Sequence, residues 1–473
     1  MTDSNSNYSD LPQGWKWVEL ENVVDILDKH RKPINSTERQ SRIEGKTPNQ
    51  LYPYYGATGQ VGYIDNYLLD GDFLLLGEDG APFFEPFKNV AYLVHGKIWV
   101  NNHAHVLKAH VSNAYLCYFL NQVDYHNYVT GTTRLKLNQS SMRKIRIKLP
   151  PPSEQHRIVE KIEELFSELD SGVASLKKAL EQLKTYRQAV LKWAFEGKLT
   201  EKWRNAHQDT LEDADTLLQQ IKAERERHYQ QQLEDWKQAL KDWETNGQET
   251  KKPTAPRKQE YYSPLKQEET NKLWKIPDKW TWEKVGNICQ SIVPNRDKPK
   301  SFSGNIPWIT TPDIDSDLIT LKLLPNHLGL NINEVELYNA RVIPKNSVIM
   351  TCVGSFGIVC INTISCVINQ QLHAFMIHSY INNKYLAYAL KIQQSWMDKK
   401  STSTTVVYLN KTNSNSIPIP LSSLQEQTQI VQEIESRLSI CDKLEATLTE
   451  NLDKAEALRQ SILKRAFEGK LVL

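Results

Sequence analysis

Basic residues fall in this chain as short clusters beside hydroxyl, amide and aromatic side chains, a mixture suited to gripping phosphates and reaching base edges. Lys29, His30, Arg31 and Lys32 form one cluster, and Arg296, Lys298 and Lys300 form its counterpart in the second half. In GTTRLKLN (131–138), Arg134 and Lys136 sit beside Thr132 and Thr133. Ser355, Thr404 and Thr405 are the hydroxyl candidates of the second half. Tyr54 and Tyr55 have flat faces that could pack against a sugar or base, and equally the bulk to serve a core. Lys144, Arg146 and Lys148 alternate along one strand face, where phosphate contact and a merely solvated face both fit.

Catalytic patterns are scarce. Glu-x-Lys occurs at 44–46, 196–198 and 468–470, but the last two lack a preceding Pro-Asp at nuclease-like spacing. His103 and His105 would share one strand face without a third ligand nearby, so packing or DNA contact outweighs metal. Cys352, Cys360, Cys366 and His373 lie close in sequence with no paired metal motif and read as core. Gly45-Lys46-Thr47 lacks the upstream glycine of a phosphate loop, and no Asn-Pro-Pro-aromatic stretch offers to hold a flipped adenine. A chain with no catalytic residue, bound metal or cofactor is therefore expected. The competing reading is an enzyme, either a divergent nuclease or a methyltransferase with fused DNA-reading domains. A third is a coiled-coil assembly protein that does not bind DNA.

Composition narrows the partners. Lys and Arg total 58 against 56 Asp and Glu, so any nucleic-acid surface has to be a local patch. The length of 473 residues with 12 tryptophans allows several domains with sizeable cores. The six cysteines form no Cys-x-x-Cys pair and read as reduced thiols. Met1 is followed by no basic-then-apolar leader, and no apolar run approaches the roughly 18 residues of a membrane span. A cytoplasmic chain without membrane contact is expected.

The elements that must position these residues come twice. LKWAFEGKL (191–199) returns as LKRAFEGKL (463–471), and 154–199 aligns without a gap on 426–471 with nearly half of its positions identical. LPQGWKWVELENV (11–23) resembles IPDKWTWEKVGNI (276–288), which sets Trp15 and Trp17 on Trp280 and Trp282. Asn101 and His105 fall on Asn369 and His373 in a fainter echo between these anchors. In the matched part, Ile158, Ile162, Leu165, Leu169, Val173, Leu176, Leu180, Leu183, Tyr186 and Val190 recur every three or four positions. That period predicts an amphipathic helix of about 40 residues, roughly 60 Å long. The second copy carries the same stripe from Ile430 to Ile462. Ser153 is the expected N-cap of the first helix after its proline run, and Gly197 and Gly469 are the expected left-handed stops.

A helix this long with one apolar stripe needs a long partner, and the other copy is available. Antiparallel pairing is the compact solution; it sets each AFEGKL at the foot of the opposite variable domain, with a pseudo-twofold axis between the halves. The variable parts read as mixed α/β domains. Their strands fall over 72–80, 91–100 and 144–149 in the first copy and 347–354, 357–362 and 416–421 in the second, with helices at 113–121 and 383–397. Between the copies, Tyr229, Leu233, Trp236, Leu240 and Trp243 predict a further amphipathic helix over 229–243, packed on the spacer or on a partner, and 244–260 reads as a flexible linker.

The order of these motifs resembles the DNA-sequence-specificity subunit of type I restriction-modification systems over nearly the whole chain. Its carriers are the Leu-Pro-x-Gly-Trp-x-Trp opening, PYYGATGQVGYIDNY (53–67), GTTRLKLNQSSMRKIRIKLPPPSEQHRIVEKI (131–162) and AFEGKLTEKWR (194–204). The second half supplies GNIPWITTPDI (304–314), LNKTNSNSIPIPLSSLQEQTQIV (409–431) and AFEGKL. One departure is that Ser422 and Ser423 stand where the first copy has prolines, which leaves the start of the second helix open.

The resemblance implies two α/β (α+β) target-recognition domains separated by two long antiparallel coiled-coil helices. They would occupy 1–150 and 276–421, with spacer helices over 151–200 and 422–473 and a charged helix and linker over 201–275. It also implies a non-catalytic scaffold that reads a bipartite double-stranded DNA site. Two methyltransferase subunits, which would carry S-adenosylmethionine, and endonuclease/translocase subunits are the implied partners.

Overall fold

The computed structural model describes residues 11–85, 87–247, 252–294, 298–323, 327–401 and 407–472. The chain divides into two compact units, one of residues 1–181 with 445–473 and the other of residues 182–444.

In the first unit a six-stranded sheet runs in the order Val24–Ile26, Ala104–Ala109, Leu69–Gly77, Ala91–Val100, Tyr52–Gly56, Gly59–Ile64. Ala91–Val100 and Tyr52–Gly56 are parallel, and the other neighbours are antiparallel. Alternation along Leu69–Gly77 sends side chains to two cores. Leu74 and Leu76 pack with helix Asn113–Leu120 and the long helices, whereas Phe73 and Leu75 pack with Val94 and Ile98. A separate antiparallel pair, Lys16–Glu19 with Arg146–Leu149, ties the start of the module to its end.

The second unit repeats the plan with Thr281–Lys284 against Pro418–Leu421. Its remaining strands form two four-stranded sheets, because the strand equivalent to Ala91–Val100 is broken into Val359–Ile361 and Cys366–Ile368. Asn362 closes the break, its Nδ2 donating to the Pro344 and Ile364 carbonyls at 2.8 Å. The helix expected over 383–397 is likewise two, Asn383–Lys391 and Gln394–Lys400.

The two long helices span Pro152–Phe195 and Leu424–Phe467, 44 residues each. The first starts at Pro152, so Ser153 lies inside the first turn and is not its cap; the fixed φ of proline suits that opening position. The second is capped as the first was expected to be, with Ser423 Oγ accepting from the Glu426 amide at 3.2 Å. The helices run antiparallel in each unit: Arg459 pairs with Asp170 in the first, and Arg187 with Asp442 at 2.7 Å in the second. Two helices alone cover their seam only in part, which is why Tyr186, Leu444 and Leu458 stay exposed.

Each AFEGKL ends its helix in the same way. The Gly197 amide donates to Ala194 and the Lys198 amide to Trp193, and Gly469 and Lys470 repeat this on Ala466 and Arg465. Both glycines have positive φ, +73° and +69°, as this helix stop requires. The phenylalanine before each stop is a core plug. Phe467 meets Tyr115 and Phe119 edge-on in the first unit, and Phe195 meets Tyr385 at 5.2 Å in the second. The carboxyl-terminal helix end therefore completes the core of the amino-terminal module.

Between the copies, helix Ala214–Thr245 is longer than its apolar stripe over 229–243 suggested, because its first half buries Leu217 and Ile221 in the second unit's core. Residues 252–262 run back beside it. Trp236 Nε1 donates to the Pro253 carbonyl at 3.1 Å, so the chain itself engages this face.

Candidate nucleic-acid interface

At one sheet edge of the first unit three stretches converge: the turn after Val24–Ile26, the Gly77-Glu78-Asp79-Gly80 turn, and 130–137. Asp79 and Thr130 bridge to Lys136 through backbone, and the Leu137 amide donates to the Glu78 carbonyl at 2.7 Å. Two acidic side chains then organise the basic ones. Arg134 Nε pairs with Asp79 at 2.6 Å, and Lys136 Nζ with Glu78 at 3.3 Å. His103 Nδ1 lies 3.3 Å from Asp79. Arg134 and Lys136 remain more than half exposed in their side chains, with Thr132 and Thr133 exposed beside them. Each is ion-paired and still largely exposed, so its cation is positioned at the surface within reach of a phosphate.

Arg31 is different. It pairs with Glu78 and with Asp28 at 3.3 Å, and donates to the Ala104 carbonyl at 2.9 Å. Its side chain is 15% exposed; it is an internal tie of this edge, not a free contact. Lys29 and Lys32 flank it exposed. Tyr54 is also removed from the surface, buried with its hydroxyl against the Ile34 backbone. Tyr55 is half-buried beside Tyr92, 6.0 Å between rings. Arg146 and Lys148 lie over the Trp17 ring, and Lys148 Nζ donates to the Phe467 carbonyl at 3.1 Å. That cation at a helix C-terminus is structural.

Asp28, Glu78 and His105 come close enough to hold a metal ion. Their oxygens are already engaged: Asp28 accepts from His105 at 2.6 Å, Gln139 at 2.9 Å and the Val106 amide at 2.9 Å, while Glu78 holds Arg31 and Lys136. Burial pushes the Asp28 carboxyl up, but these donors outweigh it and hold it below its ordinary value. The cluster serves as the foundation of the basic edge.

The second unit has the same backbone at this edge with other side chains. The Gly354 amide donates to Val407 as Gly80 does to Leu135, and Leu409 to Cys352 as Leu137 does to Glu78. Cys352 and Val353 thus stand where the first unit has Glu78 and Asp79. Ser355 is exposed next to this turn, and Lys298 and Lys300 are exposed on another loop. Arg296, Thr404 and Thr405 lie outside the described residues. Cys352, Cys360, Cys366 and His373 are buried in the core, where burial pushes each of the three thiols up, to about 11 or 12.

Sequence reading missed Glu78 and Asp79 as the organisers. Their signal was present as an acidic pair between two glycines at a strand end. It also missed exposed Val61, Tyr63 and Tyr67 on and after the hairpin strand Gly59–Ile64.

The family model for the type I restriction modification DNA specificity domain matches residues 12–182 and 277–454. The chain belongs to that family. The two matches coincide with the two copies of the module, each with most of its long helix. Among relatives, the type I restriction enzyme EcoDI specificity subunit of Escherichia coli is 22% identical, over 98% of this chain and 89% of that protein. A type I restriction enzyme specificity subunit of Haemophilus influenzae is 33% identical, over 32% of this chain and only 37% of its own length. The crystal structure of the HsdS subunit from Thermoanaerobacter tengcongensis has the same fold, with TM-score 0.55 and 17% identity over 98% of this chain and 99% of that one. Among the described residues no helix is long and apolar enough to cross a membrane.

Proposed function

We infer that this chain is the DNA-reading subunit of a type I restriction-modification complex. Each module reads one half of a bipartite double-stranded target, and the long helices join the two readers. The observation that carries this is the repeated edge: one backbone framework, used twice, presents ionic side chains in one copy and hydroxyl and apolar ones in the other. Such a pair suits two different half-sequences, since base choice follows the side chains displayed. The chain itself supplies no catalytic group. Methyltransferase subunits would bring S-adenosylmethionine and endonuclease/translocase subunits the cleavage, in the cytoplasm where the DNA is. Sequencing the methylome of cells that carry this chain with its partner subunits tests the reading: a split motif that vanishes when the chain is deleted supports it. The purified chain with DNA, Mg²⁺ and S-adenosylmethionine should neither cleave nor methylate. Either activity would overturn the non-catalytic assignment.

A further inference from the structure

Arg225 lies in helix Ala214–Thr245 and is buried to 7% exposure. Its Nη1 donates to the Asn287 carbonyl at 2.5 Å and reaches the Gly286 carbonyl at 3.3 Å, and its guanidinium lies 4.3 Å over the Tyr261 ring. Nε and Nη2 have no hydrogen-bond partner. These two nitrogens form one edge of the guanidinium, the edge that grips two oxygens of a single anion. Leaving both buried and unpaired is costly.

The same small cleft is lined by His228, Arg257, Lys258 and His378, and His378 Nε2 is likewise buried without a partner. Arg257 and Lys258 are exposed at its rim. The carboxylates nearby are occupied. Glu226 holds Lys258 at 2.8 Å and Gln230 at 2.8 Å, Glu224 pairs with Arg227 at 3.0 Å, and Glu283 accepts from Asn287 at 2.9 Å. The cleft has a volume of ≈ 30 Å³, against roughly 10–15 Å³ for one water. That leaves room for one small ion.

We propose that this cleft binds a single phosphate-class oxyanion, held on the free edge of Arg225 and by His378 Nε2. The anion bridges the inserted helix and the 257–261 segment to the recognition module, and so fixes the insertion in place. The phosphate group can come from solution or from a nucleic-acid backbone, and competition separates the two.

The test uses the full-length chain. Its melting is followed in inorganic phosphate and in chloride at matched ionic strength, and phosphate binding is measured by calorimetry. A saturable rise in Tm with phosphate alone is expected. Arg225→Lys, which keeps charge but loses the fork, should weaken phosphate binding at least about tenfold. Arg257→Ala with Lys258→Ala at the exposed rim gives a second reading that does not disturb the buried guanidinium, with several-fold weaker binding and an unchanged circular dichroism spectrum expected. If short duplex DNA displaces bound phosphate, the source is a backbone phosphate; if it does not, the site takes the free ion. Identical melting in phosphate and chloride overturns the proposal, as does unaltered phosphate binding in both variants. Neither result bears on sequence reading by the modules.

Discussion

Glu154 and Glu426 are the same residue of the repeat, and their surroundings separate them. Glu154 accepts from Trp15 Nε1 at 3.0 Å; Glu426 accepts from Trp280 Nε1 at 2.8 Å, Thr200 Oγ1 at 2.8 Å and Arg204 at 2.7 Å. Thr200 and Arg204 follow the first AFEGKL, whereas Val472 and Leu473 follow the second. Glu426→Ala leaves a half-buried guanidinium unpaired and should cost about 3–5 kcal/mol, while Glu154→Ala removes one hydrogen bond, about 1 kcal/mol. Equal losses in urea denaturation would contradict this. His373 is a second residue-scale test. Burial pushes its pKa from 6.5 down to about 3, and its Nε2 has no partner. Its folded pKa lies below the unfolded one, so the unfolded chain takes the proton first. Its contribution to stability is whole above pH 6.5 and shrinks as pH falls from there towards 3, by about 1.4 kcal/mol per pH unit. His373→Leu should therefore show about 1 kcal/mol less stability loss than the parent between pH 6.5 and 5.5, and parallel curves would refute the assignment. At the DNA edge, Arg134→Ala and Lys136→Ala in the assembled complex should each lower the log–log salt slope of DNA binding by about one; an unchanged slope would remove that residue from the backbone contacts. The clustering of Arg134, Lys136 and the threonines was legible because they are neighbours in sequence. The withdrawal of Arg31 was not, because its partner Glu78 comes from elsewhere along the chain; for Tyr54 the sequence left surface and core equally open, and its bonds to Ile34 decide for the core.

The element that binds each module together is the helix end that arrives from the other copy. Gln155 and Gln427 show how tightly the beginning of each helix is also tied: each accepts from the N-cap residue of the module helix, Ser112 at 3.1 Å and Asn382 at 3.0 Å, and donates to the carbonyl two positions before the long helix begins, Pro150 and Ser422, at 2.9 Å. At the far end, a Cβ on Gly469 would meet Pro12 Cγ at 2.3 Å, and one on Gly197 would meet Pro277 Cγ at 2.3 Å. Gly469→Ala, at a positive φ and against a proline ring, should destabilise the first module by more than 1 kcal/mol. Its effect should appear as faster hydrogen exchange in Asn113–Leu120, with exchange in Asn383–Lys391 unchanged. Gly197→Ala should reverse the pattern; loosening of both helices by either variant would mean that the plugs are not local to their modules. The long helices and their glycine stops were readable because a period sustained over ten turns or so has no competing explanation. The split of 359–368 into two strands was not, since Asn362 makes the break through tertiary hydrogen bonds. The full length of helix Ala214–Thr245 was hidden for a related reason: its buried first half carries Arg225, which does not advertise a core face.

On the scale of the whole molecule, the chain passes between its two units only inside the long helices. If those helices set the spacing of the two readers, their length sets the gap between half-sites. The ion pairs Asp170–Arg459 and Arg187–Asp442 fall in one antiparallel register, so insertions after Glu181 and after Thr447 would lie at matched levels. Four residues in each add about 6 Å, close to two base pairs at ~3.4 Å each. They also turn the helix by about 40° beyond a full turn, against roughly 70° of DNA twist for two base pairs. The expected outcome is a methylated motif whose gap grows by two base pairs, at an affinity reduced by the mismatch in rotation. Removing four residues from each helix should shorten the gap instead. Retention of the parental gap at full affinity by both variants would show that partner subunits, and not the helix pair, hold the readers at their distance. Loss of methylation with the chain still folded would show that rotation, more than length, is what the DNA enforces.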